Sequence, residues 1–157
     1  FFGEDIAELL QENVVSTLND TDYALIEFHP TATADYIAQS LYKVENAGYT
    51  PVLAHIERYP DLFKNIKMIE QIIEGGAYIQ VNASSVEGRL GGGVKRQIIK
   101  MMKKGLVHFV ATDAHSNRSR APQLEECIRY IEKKLGSDYV KKLFIDNPEK
   151  MVHNEYI

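Results

Sequence analysis

The sequence predicts an α/β fold built on a parallel sheet, and three observations carry that reading. One phrase recurs along the chain: a helix with an apolar stripe, a glycine, a buried strand, then polar residues. Its period is roughly thirty residues, the size of a βα unit. Crossovers of that length join parallel neighbours and are almost always right-handed. The strands also end in carboxylate, imidazole and amide side chains. The sheet can be open or belong to a barrel, and in both cases ligands gather beyond the carboxyl ends of the strands.

Taken in order, Glu4 to Glu12 places Ile6, Leu9 and Leu10 at helical spacing, an amphipathic start. The polar turn LNDTD leads into a strand over 23–28. Ala34 to Ala47 sets Ile37, Leu41 and Val44 on one face and closes at Gly48, the residue type that tolerates a left-handed C-terminal position. A second strand follows over 49–55. Ile66, Ile69, Ile72 and Ile73 mark the next helix, ended by Gly75-Gly76 before the strand Ala77 to Asn82. The stretch EGRLGGG predicts a flexible or lid-like loop; it lacks the Lys-Ser/Thr of a nucleotide P-loop. Val94 to Lys104 is helical, and Leu106 to Thr112 reads as a strand covered on both faces, because it has no polar alternation. Leu124, Ile128, Ile131 and Leu135 give a long amphipathic helix. The remainder reads as two short helices separated at Asn147-Pro148.

Composition narrows the function classes. A chain of 157 residues, 45% hydrophobic and 25% charged, is an ordinary globular domain with room for one substantial core. A formal net charge of −4 gives no basis for nucleic-acid binding. No apolar run is long enough to span a bilayer, and the start FFGEDIAELL lacks the pattern of a signal peptide. The single Cys127 excludes an internal disulfide and fits a reducing cytoplasm. With Phe-Phe-Gly in place of an initiating Met, the native chain is expected to begin further upstream.

The strand ends carry the chemistry. The first offers Glu27, then His29; the second His55, then Glu57 and Arg58; the third Asn82, then Ser84 and Ser85; the fourth Asp113 and His115. An oxygen and imidazole set without cysteine suits Mn²⁺, Zn²⁺ or Fe²⁺ rather than a closed structural zinc site. Arg118 and Arg120 follow the fourth strand, and guanidinium is the group best shaped to grip phosphate in two places. An isolated Asp at a strand end is commonly a helix cap, and an isolated His a structural one. Repetition at three of four ends argues for a metal centre. By contrast, His108 lies inside a strand and reads as a core histidine, and Cys127 as a packing residue. His153 reads as solvated, and Glu57 either as a partner of the ligands or as an exposed carboxylate.

The segments YALIEF (23–28), TPVLAHIERY (50–59), YIQVNASS (78–85), VHFVATDAH (107–115) and LFIDNPEKMV (143–152) resemble the bacterial PHP-family (polymerase and histidinol phosphatase) tyrosine-protein phosphatases of the CpsB/YwqE-like kind. The resemblance runs from near residue 3 to the end. It implies a distorted (β/α)7 barrel with several clustered metal ions, Mn²⁺ foremost, with Zn²⁺ or Fe²⁺ as alternatives. Residues 1–157 would be a single partial PHP phosphatase domain, the C-terminal portion of that barrel. The family's opening His-x-His strand and its early acidic ligands have no counterpart in these residues.

Carried across by position, Glu27, His55, Asp113 and His115 match metal ligands. Arg58 matches an arginine that holds the substrate phosphate, and Arg120 the second such arginine, with Arg118 as the alternative. The implied reaction is hydrolysis of protein phosphotyrosine by a metal-activated water without a covalent intermediate, with Arg58, Arg120 and Asp113 as its catalytic residues. The implied substrate is a bacterial tyrosine kinase of capsule or exopolysaccharide synthesis, and the implied location of the phosphatase is the cytoplasm. A PHP phosphoesterase for a small metabolite such as histidinol phosphate, or an inactive remnant that binds phosphate or a partner, are the competing readings. A partial barrel exposes strand edges and apolar interior, so self-association is expected.

Overall fold

A computed structural model describes residues 6–12, 14–114 and 124–157. Helix α1 (Ile6–Gln11) precedes a short 3-10 turn and strand β1 (Tyr23–Ile26). Helix α2 (Ala34–Asn46) leads to β2 (Thr50–Leu53), and a 3-10 turn (Ile56–Arg58) to α3 (Pro60–Phe63). Then come α4 (Ile66–Glu74), β3 (Tyr78–Asn82), α5 (Ala83–Glu87), α6 (Gly92–Lys103) and β4 (Phe109–Ala111). The chain closes with α7 (Glu125–Leu135), α8 (Ser137–Lys141), a π turn (Lys142–Asp146) and α9 (Asn147–Val152).

The strands form one parallel sheet in the order β1-β2-β3-β4. This is the expected α/β architecture of parallel βα units. Its local causes are those read from the sequence. The Thr33 hydroxyl caps α2 by accepting from the Tyr36 N–H, and Gly48 follows the helix at φ +93°, where a β-carbon would be strained. Asn65 caps α4 by accepting from the Met68 N–H. A longer-range cap ties two units together: the Ala34 N–H donates to the Asp61 carboxylate at 2.8 Å.

One sheet face packs against the helices. Ala24, Ile26, Leu53, Ile79 and Val81 join Ile37, Val44, Ile69, Ile98 and Met101 in the main core. Each large aliphatic side chain fully buried there is worth about 1.5–3 kcal/mol. The opposite face holds a smaller cluster of Tyr23, Val52, Tyr78 and Phe109, covered by Leu18, Met151 and Ile157. The C-terminal tail is hydrogen-bonded over it. The Tyr23 hydroxyl donates to the Glu155 carbonyl at 2.6 Å, and the Ile157 N–H donates to the Tyr78 hydroxyl at 2.9 Å. That cover lies over the amino-terminal half of the face. Nearer the carboxyl ends, Leu25 is 46% exposed while Gln80 and Asn82 are buried.

Three expectations need correction. EGRLGGG is not one long loop: Ala83–Glu87 is helical, and Gly92 and Gly93 lie in the first turn of α6. Gly91, at φ +96°, makes the entry to that helix, so the glycines serve a tight reversal. The fourth strand is shorter than 106–112; Phe109 and Val110 are buried on its two faces, and the cover ends at the exposed Ala111. Finally, the helix is not interrupted at Asn147-Pro148. Asn147, with helical φ and ψ, donates its N–H five residues back to the Lys142 carbonyl, and this wider turn carries the helix past the proline that follows.

Candidate metal and phosphate site

Parallel register brings the strand ends to one rim. Ile26 pairs with Leu53 and Asn82 with Ala111, so Glu27, His55, Asn82 and Asp113 all emerge on the same side of the sheet. His55 and Asp113 both leave their strands in the left-handed region, at φ +34° and +53°. Non-glycine residues seldom adopt that conformation, and strained backbone of this kind gathers at functional sites.

The His55 ring, on a residue 5% exposed, directs Nε2 at Glu27 Oε1, 3.0 Å away. Its other nitrogen, Nδ1, faces the Tyr59 hydroxyl at a long 3.5 Å. That hydroxyl accepts from the Phe28 N–H at 3.0 Å, which locks the phenol beneath the imidazole. Burial pushes the Tyr59 hydroxyl up to about 12, so it remains a neutral phenol at physiological pH. On the other side of the rim, Arg58 Nη2 forms a salt bridge with Asp113 Oδ2. The same carboxylate oxygen accepts from Asn82 Nδ2 at 3.2 Å.

Of the residues singled out from the sequence, Glu27 and His55 are in contact, as are Arg58 and Asp113. His115, Arg118 and Arg120 lie outside the described residues. Among the described residues no three His, Cys, Asp or Glu side chains stand together as a metal-binding group. The donor chemistry of the first pair nevertheless fits a divalent ion. Glu27 Oε1 and His55 Nε2 are a carboxylate oxygen and an imidazole nitrogen, the donor types that bind such an ion, and at 3.0 Å they pair directly with each other. A ligating imidazole also commonly hands its second nitrogen to an outer partner, and Tyr59 occupies that place.

Glu57 is buried, at 6% exposure, rather than solvated. Oε1 accepts from the Asn82 N–H at 2.9 Å, whereas Oε2 has no hydrogen-bond partner of acceptable geometry. Burial raises its carboxyl above the ordinary range, opposed by the nearby Ser85 side chain and the Asn82 N–H. Sequence reasoning passed over Gln80 and Tyr59, and it noted Asn82 without a role. The signal for the two amides was present: YIQVN places polar residues two apart, on one face of an otherwise apolar strand.

Comparison with known proteins gives the chain its family. Residues 1–153 match the CpsB/CapC family of capsular polysaccharide synthesis. The chain is 36% identical over 162 residues to the tyrosine-protein phosphatase CpsB of Streptococcus pneumoniae, covering 100% of this chain and 67% of that protein. It is 33% identical over 156 residues to the tyrosine-protein phosphatase YwqE of Bacillus subtilis (strain 168), covering 99% and 61%. It is 31% identical over 155 residues to the putative tyrosine-protein phosphatase CapC of Staphylococcus aureus, covering 98% and 60%. A solved structure described as YwqE from Bacillus subtilis and CpsB from Streptococcus pneumoniae, "unique metal-dependent tyrosine phosphatases", superposes with a TM-score of 0.88 at 31% identity. That match covers 100% of this chain and 63% of the solved one. The chain therefore spans 60–67% of the length of these relatives.

Proposed function

This chain belongs to the CpsB/CapC family, and from that premise we propose that residues 1–157 are a partial PHP-barrel domain of a metal-dependent protein-tyrosine phosphatase. Its substrate is a phosphotyrosine protein, a bacterial tyrosine kinase of capsule or exopolysaccharide synthesis, in the cytoplasm. Mn²⁺ is the proposed metal. The observation that carries the reading is the meeting of Glu27 and His55 at 3.0 Å, on adjacent strand ends, beside Arg58 held on Asp113.

When bound, divalent ions supply neutralisation of phosphoryl charge and activation of the attacking water. Glu27, His55, Asp113 and His115 are the residues that would hold them. Arg58, with Arg120 or Arg118, orients the phosphoryl group; its guanidinium has five N–H donors, and the Asp113 contact engages Nη2. Tyr59 holds the imidazole in place. A cysteine route finds no support, because Cys127 is fully buried and burial pushes its thiol up to about 12.

The test is a phosphotyrosine peptide assayed beside histidinol phosphate and other metabolite phosphates, with Mn²⁺ and again with chelator. Mn²⁺-dependent release from phosphotyrosine is expected. Preference for a metabolite would shift the assignment to a small-molecule phosphoesterase, and no turnover with retained phosphate binding would favour a binding remnant. In the complete protein, His55→Ala and Asp113→Ala are expected to abolish turnover. Arg58→Ala is expected chiefly to raise KM, by roughly ten- to hundred-fold, the value of a charge-assisted hydrogen bond.

A further inference from the structure

We propose that Gln80 and Asn82 are positioning residues that couple the two halves of this site; the inference rests on the metal-dependent reading above. Both amides are buried, at 5% and 2% exposure. The Gln80 Oε1 accepts from the His55 backbone N–H, the residue whose left-handed conformation aims the imidazole at Glu27. Gln80 Nε2 donates to the Val81 carbonyl at 2.8 Å and to Asn82 Oδ1 at 3.0 Å. Asn82 Nδ2 then donates to Asp113 Oδ2 at 3.2 Å, and its backbone N–H donates to Glu57 at 2.9 Å.

The direction of this chain is fixed at both ends. A backbone N–H at His55 requires an oxygen from Gln80, and a carboxylate at Asp113 requires an N–H from Asn82. Turning either amide over would set donor against donor or oxygen against carboxylate. One strand therefore holds the His55 and Asp113 arms at a set spacing. Outer partners of metal ligands are typically worth roughly ten- to hundred-fold in metal affinity.

The experiment titrates the chain with Mn²⁺ by calorimetry, for wild type, Gln80→Leu, Asn82→Leu and the double variant. Each single substitution is expected to weaken Mn²⁺ binding at least roughly ten-fold. The double variant is expected to be no worse than the weaker single, because both interrupt one relay. Singles that bind Mn²⁺ like wild type, or a double variant with multiplied losses, would overturn the proposal. A metal-free arm separates it from the parent reading: amide exchange at His55 and the side-chain NH₂ signals of Asn82, followed by NMR. Gln80→Leu should accelerate exchange at His55, and Asp113→Asn should shift the Asn82 signals. If wild type binds no Mn²⁺, the metal reading fails while these signals still decide the relay. Unchanged signals would overturn it, whatever the metal does.

Discussion

His108 and His55 are the same side chain put to opposite uses. His108 Nδ1 accepts from the Ile79 N–H at 3.1 Å, its own N–H donates to the Ile79 carbonyl at 2.9 Å, and its ring stands edge-on to Tyr78 at 4.9 Å. Burial, with Lys142 adding to it, lowers its pKa from 6.5 to about 4. The folded state thus prefers neutral imidazole, and the unfolded chain takes up a proton first as pH falls. Its stabilising contribution is fully present above pH 6.5 and is lost between there and about 4, an effect of roughly 3 kcal/mol. Glu57 acts in the opposite sense, its raised pKa costing stability as pH rises through its folded value. Comparison with His108→Gln isolates the histidine: chemical denaturation from pH 4 to 7 should show a flatter stability profile for the variant, and an unchanged slope would refute the assignment. This residue was legible in the sequence, since a histidine inside an apolar run needs a partner there. Glu57 was not, because nothing in HIERYP says which way the 3-10 turn faces.

Elements were legible where periodicity carried them and illegible where local chemistry had two solutions. The stripes of α2, α4, α6 and α7 fall where apolar spacing put them, and each of the four strands lies inside its expected apolar run but is shorter than it. Gly91 to Gly93 reads equally as loop or as the entry to a helix, and only packing on the neighbouring α5 decides. The C-terminal helix is the clearer case. Proline at position 148 argues for a break, but Asn147 is 3% exposed and its Nδ2 donates to the His108 carbonyl at 2.7 Å, anchoring the helix to the approach of β4. A side chain with a buried long-range partner outweighs a local break signal. Asn147→Ala leaves that carbonyl unsatisfied and should cost about 1–3 kcal/mol. Urea unfolding reads this as a lower midpoint with an unchanged slope; an unmoved midpoint would show that the anchor is idle.

At the scale of the whole molecule, β1 and β4 are the outer strands among the described residues, and Leu25 lies half-exposed on β1. An unpaired edge beside apolar surface favours association. Light scattering on the eluted chain should show a dimer or larger species that Leu25→Lys shifts toward monomer, and a wild-type monomer at micromolar concentration would count against it. The rim of ligand-type residues was readable because parallel βα repeats must bring every carboxyl end to one side. The amide relay beneath it was not, because its direction depends on register. The most direct test of the convergent site is a crystal structure of the chain grown with Mn²⁺ and inorganic phosphate, using anomalous scattering to locate the metal. A convergent site would show manganese bound by Glu27 and His55, with phosphate against Arg58. Manganese bound elsewhere, with the imidazole still paired directly to Glu27, would contradict it.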